Sequence, residues 1–485
     1  MLGIQKRLTN SFYVLLSLPA TAMGFALSVQ ISALSWILST KYGLSIHEIG
    51  LVWAAGPIAG ILGQVIIGII SDNVWFMNGR RRPFILIGGV LAALMLLALP
   101  NIDVISTSTG IGSILGVAIA VALTLDLAIN ISFNPTRSII ADVTPEGDER
   151  TKGYTWMQTI SGTFGVLAYA IGAIWNNYLL IYFGAGLVLL LSIVPTFFVE
   201  EPRHLSSGAD EGEQSDASSF REIMLSIQPL WGFLLYAVYG ISMSLMGIKV
   251  NHYWVELFCL ALTLALIFYT LAQKESGKSK TEAGKIGFQK VLAAHSFTWI
   301  GIQTMFVYMF SYVQYRLPDL DDVNMGRVIS ISFLIFNAVA AVLPALVLQP
   351  LTLRYGRVRT HAACIAVMAL GYAGILFMGY SAGVIYVLMG ILGIGWAATV
   401  SLPFAIMSSK VDQGKMGLYM GLFNLSVVLP QLVASLGIGQ VISQTADKSL
   451  IFVISTATLA FSAFAWRFVK EELSSDVQMV SGGGH

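Results

Sequence analysis

Long stretches without charged residues dominate this sequence and limit what it can fold into. Asp, Glu, Lys and Arg make up 11% of the 485 residues, whereas apolar residues make up 56%. A soluble domain averages about 25% charged residues, so this composition predicts an all-α polytopic membrane protein. The formal net charge of +1 provides no basic field for nucleic acid. The two cysteines support neither a disulfide framework nor a zinc site.

Fourteen stretches are apolar enough to cross a bilayer, for which a helix needs about 20 mostly apolar residues. They form groups of six, two and six, separated by polar segments at 200–221 and 273–290. An even number of spans returns both termini to the same side. The predicted spans lie near 11–39, 47–71, 83–101, 108–140, 153–174, 178–199, 225–248, 253–273, 291–315, 326–350, 359–380, 382–407, 414–441 and 448–468.

A short cationic loop follows the second span of the first six and recurs after the second span of the last six. The first loop contains Gly79 and Arg80, and the second contains Gly356 and Arg357. Internal repeats of this kind are typical of major facilitator transporters. We therefore expect a major facilitator fold, with two six-helix bundles and an inserted two-helix hairpin.

The expected organisation follows from these groups. It comprises an N-terminal bundle at 1–199, cytoplasmic segments at 200–290 that flank a hairpin near 225–273, a C-terminal bundle at 291–470 and a tail at 471–485. The tail ends in Ser-Gly-Gly-Gly-His, which we interpret as a cloning remnant. Lys and Arg gather near alternate loops, and such loops are cytoplasmic. We expect both termini to be cytoplasmic, in a bacterial inner (plasma) membrane.

Three stretches carry a family resemblance. The first is Gly56-Pro57 with Ser71-Asp72 and Gly79-Arg80-Arg81-Arg82-Pro83-Phe84-Ile85; the second runs from Leu125-Asp126 through Pro135-Thr136-Arg137 to Ala141-Asp142; the third runs from Pro403-Phe404-Ala405 to Pro430-Gln431. Together they resemble the plant sucrose–proton symporters and their animal and bacterial relatives in solute carrier family 45. The resemblance implies a major facilitator fold and proton-coupled sugar uptake. It also implies Asp126 as the proton carrier, Arg137 as its partner and Gln30 as a sugar ligand.

The residues themselves also single out Asp126. It is the clearest acidic residue deep inside a predicted span, and ionisable groups there are usually functional. Asn130, Asn134 and Arg137 follow it on the same face, within about 80° of the helix circumference. Burial favours a protonated carboxyl and a nearby Arg favours the charged form, so proximity to Arg137 offers a way to load and release a proton. A permanent structural ion pair is the alternative.

One isolated acidic residue favours a proton over sodium as the coupling ion. Sodium-coupled relatives of this fold use acidic residues in the second helix as well, and here that helix has none between Glu48 and Asp72. The histidines are scattered and show no metal-ligand spacing. We therefore expect no cofactor other than the proton and no metal.

A sugar site needs polar side chains for the hydroxyls and an aromatic face for the ring. Each candidate inside a helix has helix–helix packing as the alternative reading. The predicted sugar ligands are Gln30, Asn130, Asn337, Asn424, Trp299 and Gln431.

The two cationic loops are predicted to act as a gate. A compact cationic loop can pair with acidic helix ends on the cytoplasmic face and latch the outward-open state, whereas ordinary positive-inside topology explains the arginines alone. The predicted gating residues are Asp72, Gly79, Arg80, Arg81, Arg82, Asp142, Arg354, Gly356 and Arg357.

These observations predict a monomeric proton-coupled symporter that imports a disaccharide or α-glucoside, such as sucrose or maltose, by alternating access. Its expected partners are the sugar and the lipid bilayer. A sodium-coupled or facilitative sugar carrier is the alternative within the same class. A membrane sugar sensor without transport is the alternative from another class. No catalytic constellation is present in the sequence, so an enzyme is not expected.

Overall fold

Helices make up most of the chain in a computed structural model, which describes residues 3–60, 74–145, 148–201, 220–246, 248, 252–411 and 416–471. The chain is thus an all-α polytopic membrane protein. The first group of helices is α1 (Asn10–Thr40), α2 (Ile46–Trp53), α3 (Arg82–Ala98), α4 (Ile114–Val143), α5 (Asp148–Ile174) and α6 (Asn177–Phe198).

A hairpin and a second large group follow. The hairpin pair is α7 (Trp231–Met246) and α8 (Trp254–Ala272), and α7 is preceded by the short helix Phe220–Ser226 across a 68° bend. The second group is α9 (Lys280–Arg316), α10 (Asp322–Leu343), α11 (Arg357–Met378), α12 (Ala382–Ser408), α13 (Met416–Leu432) and α14 (Leu450–Trp466). Helix α13 continues through a π-helical segment, Val433–Ile438, to Gly439–Gln444.

The number of membrane spans differs from the sequence-based count. Within the described ranges, ten helices are long and apolar enough to cross a membrane, or eleven if the bent pair is one span. Helix α14 has only 17 residues, and the predicted second span extends into 61–73, outside the described residues. The count of fourteen therefore stays a prediction.

Polar residues at helix starts explain where several helices begin. Ser279 and Glu282 form a capping box in which each side chain bonds the other's backbone N–H, so α9 begins at Lys280. The predicted span there starts at 291, and α9 is longer because its capped first turns are polar. Other helices also begin after a residue whose side chain caps the first turn, at Thr9, Ser113, Asn176, Asp321 and Ser381.

Close packing within the N-terminal bundle depends on small residues. A Cβ on Gly88 would lie 2.6 Å from the carbonyl oxygen of Ala128 in α4, and one on Gly89 would lie 2.1 Å from the Ser192 side chain in α6. Small residues let membrane helices approach this closely. Helix α3 is therefore held between α4 and α6 by two adjacent glycines.

The two six-helix groups meet at one end of the molecule. Successive helices alternate in direction, so we name the two ends by a residue near each: the Trp36 end lies near Thr40, Asn177, Arg316 and Asp322, and the Arg81 end lies near Arg82, Val143, Lys280 and Arg357. Trp36 Nε1 donates to the carbonyl oxygen of Asp322 at 2.7 Å, and the hydroxyls of Ser32 and Ser330 lie 2.8 Å apart. In the described part of the chain, the hydrogen bonds between the groups gather towards the Trp36 end. This end is closed.

Candidate functional site

The Asp126 carboxylate lies at the centre of the N-terminal bundle and contacts α1. Its side chain is 6% exposed, and its Oδ2 accepts a hydrogen bond from Gln30 Nε2 at 3.1 Å. A Cβ placed on Gly56 would lie 3.4 Å from the same oxygen, which is ordinary van der Waals contact, so the backbone there packs directly beside the carboxylate. The structure therefore brings together two of the predicted site residues, Asp126 and Gln30.

Arg137 does not pair with Asp126 in this structure. Eleven residues of helix separate the two positions by about 16 Å along the axis, although they share a face. Arg137 is exposed, and its guanidinium lies 4.6 Å from the centre of the Phe133 ring. The ion pairs among the described residues involve other carboxylates, namely Asp103, Asp142 and Glu275. The direct partner of Asp126 here is a neutral amide.

Asn130 remains close to Asp126 but bonds the backbone. Its Nδ2 donates to the carbonyl oxygen of Asp126 at 2.8 Å, one helical turn earlier. Asn337 does the same in α10, donating to the carbonyl oxygen of Phe333 at 2.9 Å. The Nδ2 group of each amide therefore donates within its own helix.

The C-terminal bundle presents neutral amides at comparable depth. Gln431 Nε2 in α13 donates to Gln303 Oε1 in α9 at 3.2 Å. Gln303 is 3% exposed, whereas Gln431 is half-buried. Asn424, one of the predicted sugar ligands, is also half-buried on α13. The pair of glutamines links the two helices across the bundle.

Aromatic side chains of α9, α10 and α12 contact one another in the same bundle. Trp396 stacks on Phe336 with ring centres 5.7 Å apart and an interplanar angle of 22°, and Trp299 meets Trp396 edge-on at 5.8 Å. Trp299 is oriented by a hydrogen bond from its Nε1 to His295 Nε2 at 2.9 Å. Both indoles are half-buried, so part of each remains available to a ligand.

The polar groups of both bundles lie at a common level. Each is between roughly ten and fourteen residues from the Trp36 end of its helix, about 15–21 Å at 1.5 Å per residue, near the middle of a hydrocarbon core of about 30 Å. The residues at this level are Gln30, Asp126, Gln303, Trp396 and Gln431.

A carboxylate clamps the cationic loop of the N-terminal bundle. Glu201 Oε2 accepts the backbone N–H of Arg80 and Arg81 at 2.7 and 2.8 Å, and its Oε1 accepts that of Arg82 at 2.7 Å. A Cβ on Gly79 would lie 2.9 Å from this carboxylate. The glycine therefore makes room for Glu201 at the start of α3.

Two of the arginine side chains bind Asp142. Arg81 Nε lies 3.1 Å from Asp142 Oδ2, and Arg80 Nη2 lies 3.2 Å from the same oxygen. The side chains of Arg81 and Asp142 are 8% and 9% exposed, so the pair is shielded from water. Asp72 lies outside the described residues, and the latch role predicted for this loop stays a prediction.

The C-terminal bundle repeats the clamp. Glu471 accepts the backbone N–H of Arg357 at 2.8 Å and that of Val358 at 2.8 Å. Gly356 has φ +89° and a Cβ there would lie 2.5 Å from Glu471 Oε2. Arg354 points elsewhere, with its guanidinium 5.1 Å from the centre of the Tyr355 ring. The clamp is thus a property of both halves.

Comparison with known proteins identifies the family. The model of the Major Facilitator Superfamily matches residues 16–435. The chain belongs to the Major Facilitator Superfamily. It is therefore a membrane transport protein, and the fold expected from its repeated loops is confirmed.

Proteins similar to this chain include named sugar carriers. It is 25% identical over 473 residues to the "Sucrose transport protein SUT2" of Oryza sativa subsp. indica, with 87% of this chain and 84% of that protein covered. It is 31% identical over 175 residues to the "General alpha-glucoside permease" of Schizosaccharomyces pombe, covering 32% of this chain and 31% of that protein. Among solved structures, the POT family transporter PepTSo matches with a TM-score of 0.65 at 11% identity, covering 98% of both chains.

Several contacts in the structure were not predicted from the sequence. The clamp residues Glu201 and Glu471 had a signal, because Phe-Val-x-Glu occurs at both 198–201 and 468–471. The Gln303–Gln431 pair had none, because only helix packing brings the two positions into contact. The His295–Trp299 hydrogen bond had one, because side chains four residues apart lie on the same helix face.

Proposed function

We propose that this protein is a proton-coupled symporter for a disaccharide or α-glucoside such as sucrose or maltose. The observation that carries the proposal is the buried Asp126 carboxylate, which has a neutral amide as its partner. Relatives named as sucrose transport proteins align with most of the chain, and a named α-glucoside permease aligns with part of it. They support the sugar class.

Asp126 and Gln30 can hold a proton in two arrangements. With the carboxylate ionised, the Gln30 amide N–H donates to it, as observed at 3.1 Å. With the carboxyl protonated, its O–H can instead donate to the Gln30 carbonyl oxygen once that amide turns over. An ionised carboxylate without a cationic partner is costly in the membrane interior. In this proposal Asp126 therefore crosses the reorientation step in its protonated form.

The sugar is proposed to bind between the two bundles at the level of these residues. A hydroxyl that bonds Gln30 would compete with Asp126 for the amide and so link occupancy to protonation. On the opposite side, Gln431 would bond further hydroxyls and Trp396 would cover the apolar face of a ring. Trp299 and Asn424 lie about 6 and 10 Å nearer the Arg81 end, where they would contact the second ring of a disaccharide. With the Trp36 end closed, the proposed access to this site is from the Arg81 end.

Arg137 has a different place in the proposal from the one its spacing suggested. Its distance along α4 excludes direct contact with Asp126 in the present helix. Its exposed guanidinium would instead favour proton release by long-range attraction to the ionised carboxylate. Direct pairing would require a break in α4, where Pro135 is the one proline of the helix.

Transport by purified protein in liposomes tests the proposal. A panel of sucrose, maltose and monosaccharides is offered under an imposed pH gradient, an imposed sodium gradient or neither. We expect accumulation of a disaccharide only with the pH gradient, together with proton uptake. Accumulation driven by sodium alone, or equilibration without accumulation, would contradict proton symport and favour the other carriers. Sugar binding without movement under all three conditions would favour a sensor.

A further inference from the structure

The inserted hairpin and α13 enclose a pocket that the transport site does not use. The pocket has a volume of about 240 Å³. Its wall is mainly apolar and includes Phe233 of α7, Leu260 of α8, and Val433 and Ile438 of the π-helical segment. An apolar cavity of this kind stays dry and takes apolar guests.

The pocket opens to the lipid-facing surface. Leu260 in its wall is 53% exposed, and Val441 is 45% exposed. At the Trp36 end the pocket is bounded by Tyr253, whose hydroxyl donates to Gln444 Oε1 at 2.7 Å. A guest would therefore arrive from the bilayer and would place its polar end near the membrane surface.

One carboxylate stands in the pocket wall. Glu256 lies in the first turn of α8, near the Trp36 end, and its Oε2 is buried without a hydrogen-bond partner. The Tyr239 side chain is a hydrogen-bond partner of this carboxylate, but no Lys, Arg or His in the described ranges forms an ion pair with it. The residue as a whole is half-buried, but its buried Oε2 atom still lacks a donor, and a cationic donor fits a carboxylate oxygen best.

We propose that this pocket binds a membrane phospholipid with a primary ammonium headgroup. An acyl chain fills the apolar cavity, and the ammonium N–H groups donate to Glu256. A phosphatidylcholine headgroup carries the same charge without an N–H donor, so the site distinguishes the two lipids by hydrogen bonding.

The same pocket lies behind the segment that closes the Trp36 end. Val433, Gly437 and Ile438 of the π-helical segment line the pocket. On this segment the carbonyl oxygen of Ser435 accepts a hydrogen bond from the Tyr308 hydroxyl at 3.1 Å, and a Cβ on Gly50 of α2 would lie 2.3 Å from that oxygen. A lipid that fits the pocket in this arrangement favours the closed Trp36 end. This gating consequence alone rests on the proposed function.

Lipid retention tests the site without any transport measurement. The full chain is purified from nanodiscs that hold equal amounts of phosphatidylethanolamine and phosphatidylcholine with the same acyl chains, and the retained lipid is quantified by mass spectrometry. We expect phosphatidylethanolamine to be preferred about tenfold, as a charge-assisted hydrogen bond implies. Glu256→Gln is expected to remove this preference, and Leu260→Trp to remove retention of both lipids by filling the cavity.

Matched controls keep the result interpretable. Asp319→Asn removes an exposed acidic residue at the same end, and Leu257→Trp adds an indole to an exposed position of α8 outside the pocket wall. Both should retain lipid as the wild type does. An undiminished preference in Glu256→Gln, or undiminished retention in Leu260→Trp, would overturn the site. Absence of sugar uptake with an intact lipid preference would instead count against the proposed function only.

Discussion

The two six-helix bundles are alike at the Arg81 end and different at mid-membrane. In each bundle a glutamate that follows the last helix accepts backbone N–H groups at the start of the third, Glu201 for α3 and Glu471 for α11. At mid-membrane the N-terminal bundle holds a carboxylate, Asp126. The C-terminal bundle holds an amide pair, Gln303 and Gln431, and a pair of stacked aromatic rings.

This difference separates what the fold requires from what the chemistry requires. Each repeat needs its cationic loop fixed, and a carboxylate on unpaired helix N–H groups does this wherever a helix begins. The fold does not require an ionisable group in the membrane interior, where such a group is costly. We infer that the N-terminal bundle carries the proton and that the C-terminal bundle makes most of the contacts with the sugar ring.

Asp126→Asn should have the largest effect and tests the proposed role of the N-terminal bundle in carrying the proton. The amide keeps the shape but cannot exchange a proton, so accumulation under a pH gradient should fall to simple equilibration. Sugar exchange across the membrane without a gradient should continue and lose its pH dependence. Asp103→Asn is the control, because Asp103 pairs with Lys41 near the surface and is 50% exposed. Accumulation that survives in Asp126→Asn would remove Asp126 as the carrier.

Trp396→Leu tests the proposed role of the C-terminal bundle in contacting the sugar. Losing an aromatic face of this kind costs about 1 kcal/mol beyond area burial, so we expect KM for the sugar to rise about tenfold once lost contact area is included. The proton-to-sugar ratio should stay unchanged. Trp254→Leu is a matched control, since Trp254 is 73% exposed and lies at the hairpin tip. A changed stoichiometry with an unchanged KM would reverse the assignment of the two bundles.

The clamps should differ in strength. Glu201 accepts three backbone N–H groups and Glu471 accepts two, so Glu201→Ala should lower the melting temperature of the detergent-solubilised protein more than Glu471→Ala. Each charge-assisted hydrogen bond contributes about 1.5–3 kcal/mol, and at about 1 °C per kcal/mol for a chain of this length we expect a difference of about 2–3 °C. Glutamine at either position keeps one acceptor and should give an intermediate loss. Equal losses would mean that the third bond adds no stability.

Trp36→Phe should have the smallest effect, because it removes one hydrogen bond between the bundles. A loss of about 1 kcal/mol shifts a two-state equilibrium roughly fivefold. With Ser330→Cys as reporter in a background without Cys259 and Cys364, labelling by a membrane-impermeant maleimide should quicken by that factor. Trp231→Phe removes a similar bond that does not join the bundles, Trp231 Nε1 to the carbonyl oxygen of Met224 at 2.9 Å, and should leave labelling unchanged. Faster labelling in both would indicate general loosening.

Local features of the sequence predicted much of this arrangement. The helical class and the paired bundles follow from apolar runs and the recurring glycine–arginine loops. Asp126 stood out because charge is scarce in the spans, and Asp142 was named as a partner for the cationic loop, where the structure places it. The helical wheel also put Arg137 on the face of Asp126. A wheel ignores the rise per residue, however, and it was the rise that kept the two side chains apart.

The tertiary structure decided the partners. Gln30 and Asp126 are 96 residues apart in the chain, and Gln303 and Gln431 are 128 apart, so only the packing of α1 on α4 and of α9 on α13 brings them together. The sequence by itself determined which segments enter the membrane and where they carry polar groups, because the cost of burying a polar group depends on the residue and its immediate neighbours. The arrangement of the helices around each other decides which polar groups bond one another and which end of the molecule is closed. No local sequence pattern contains that information.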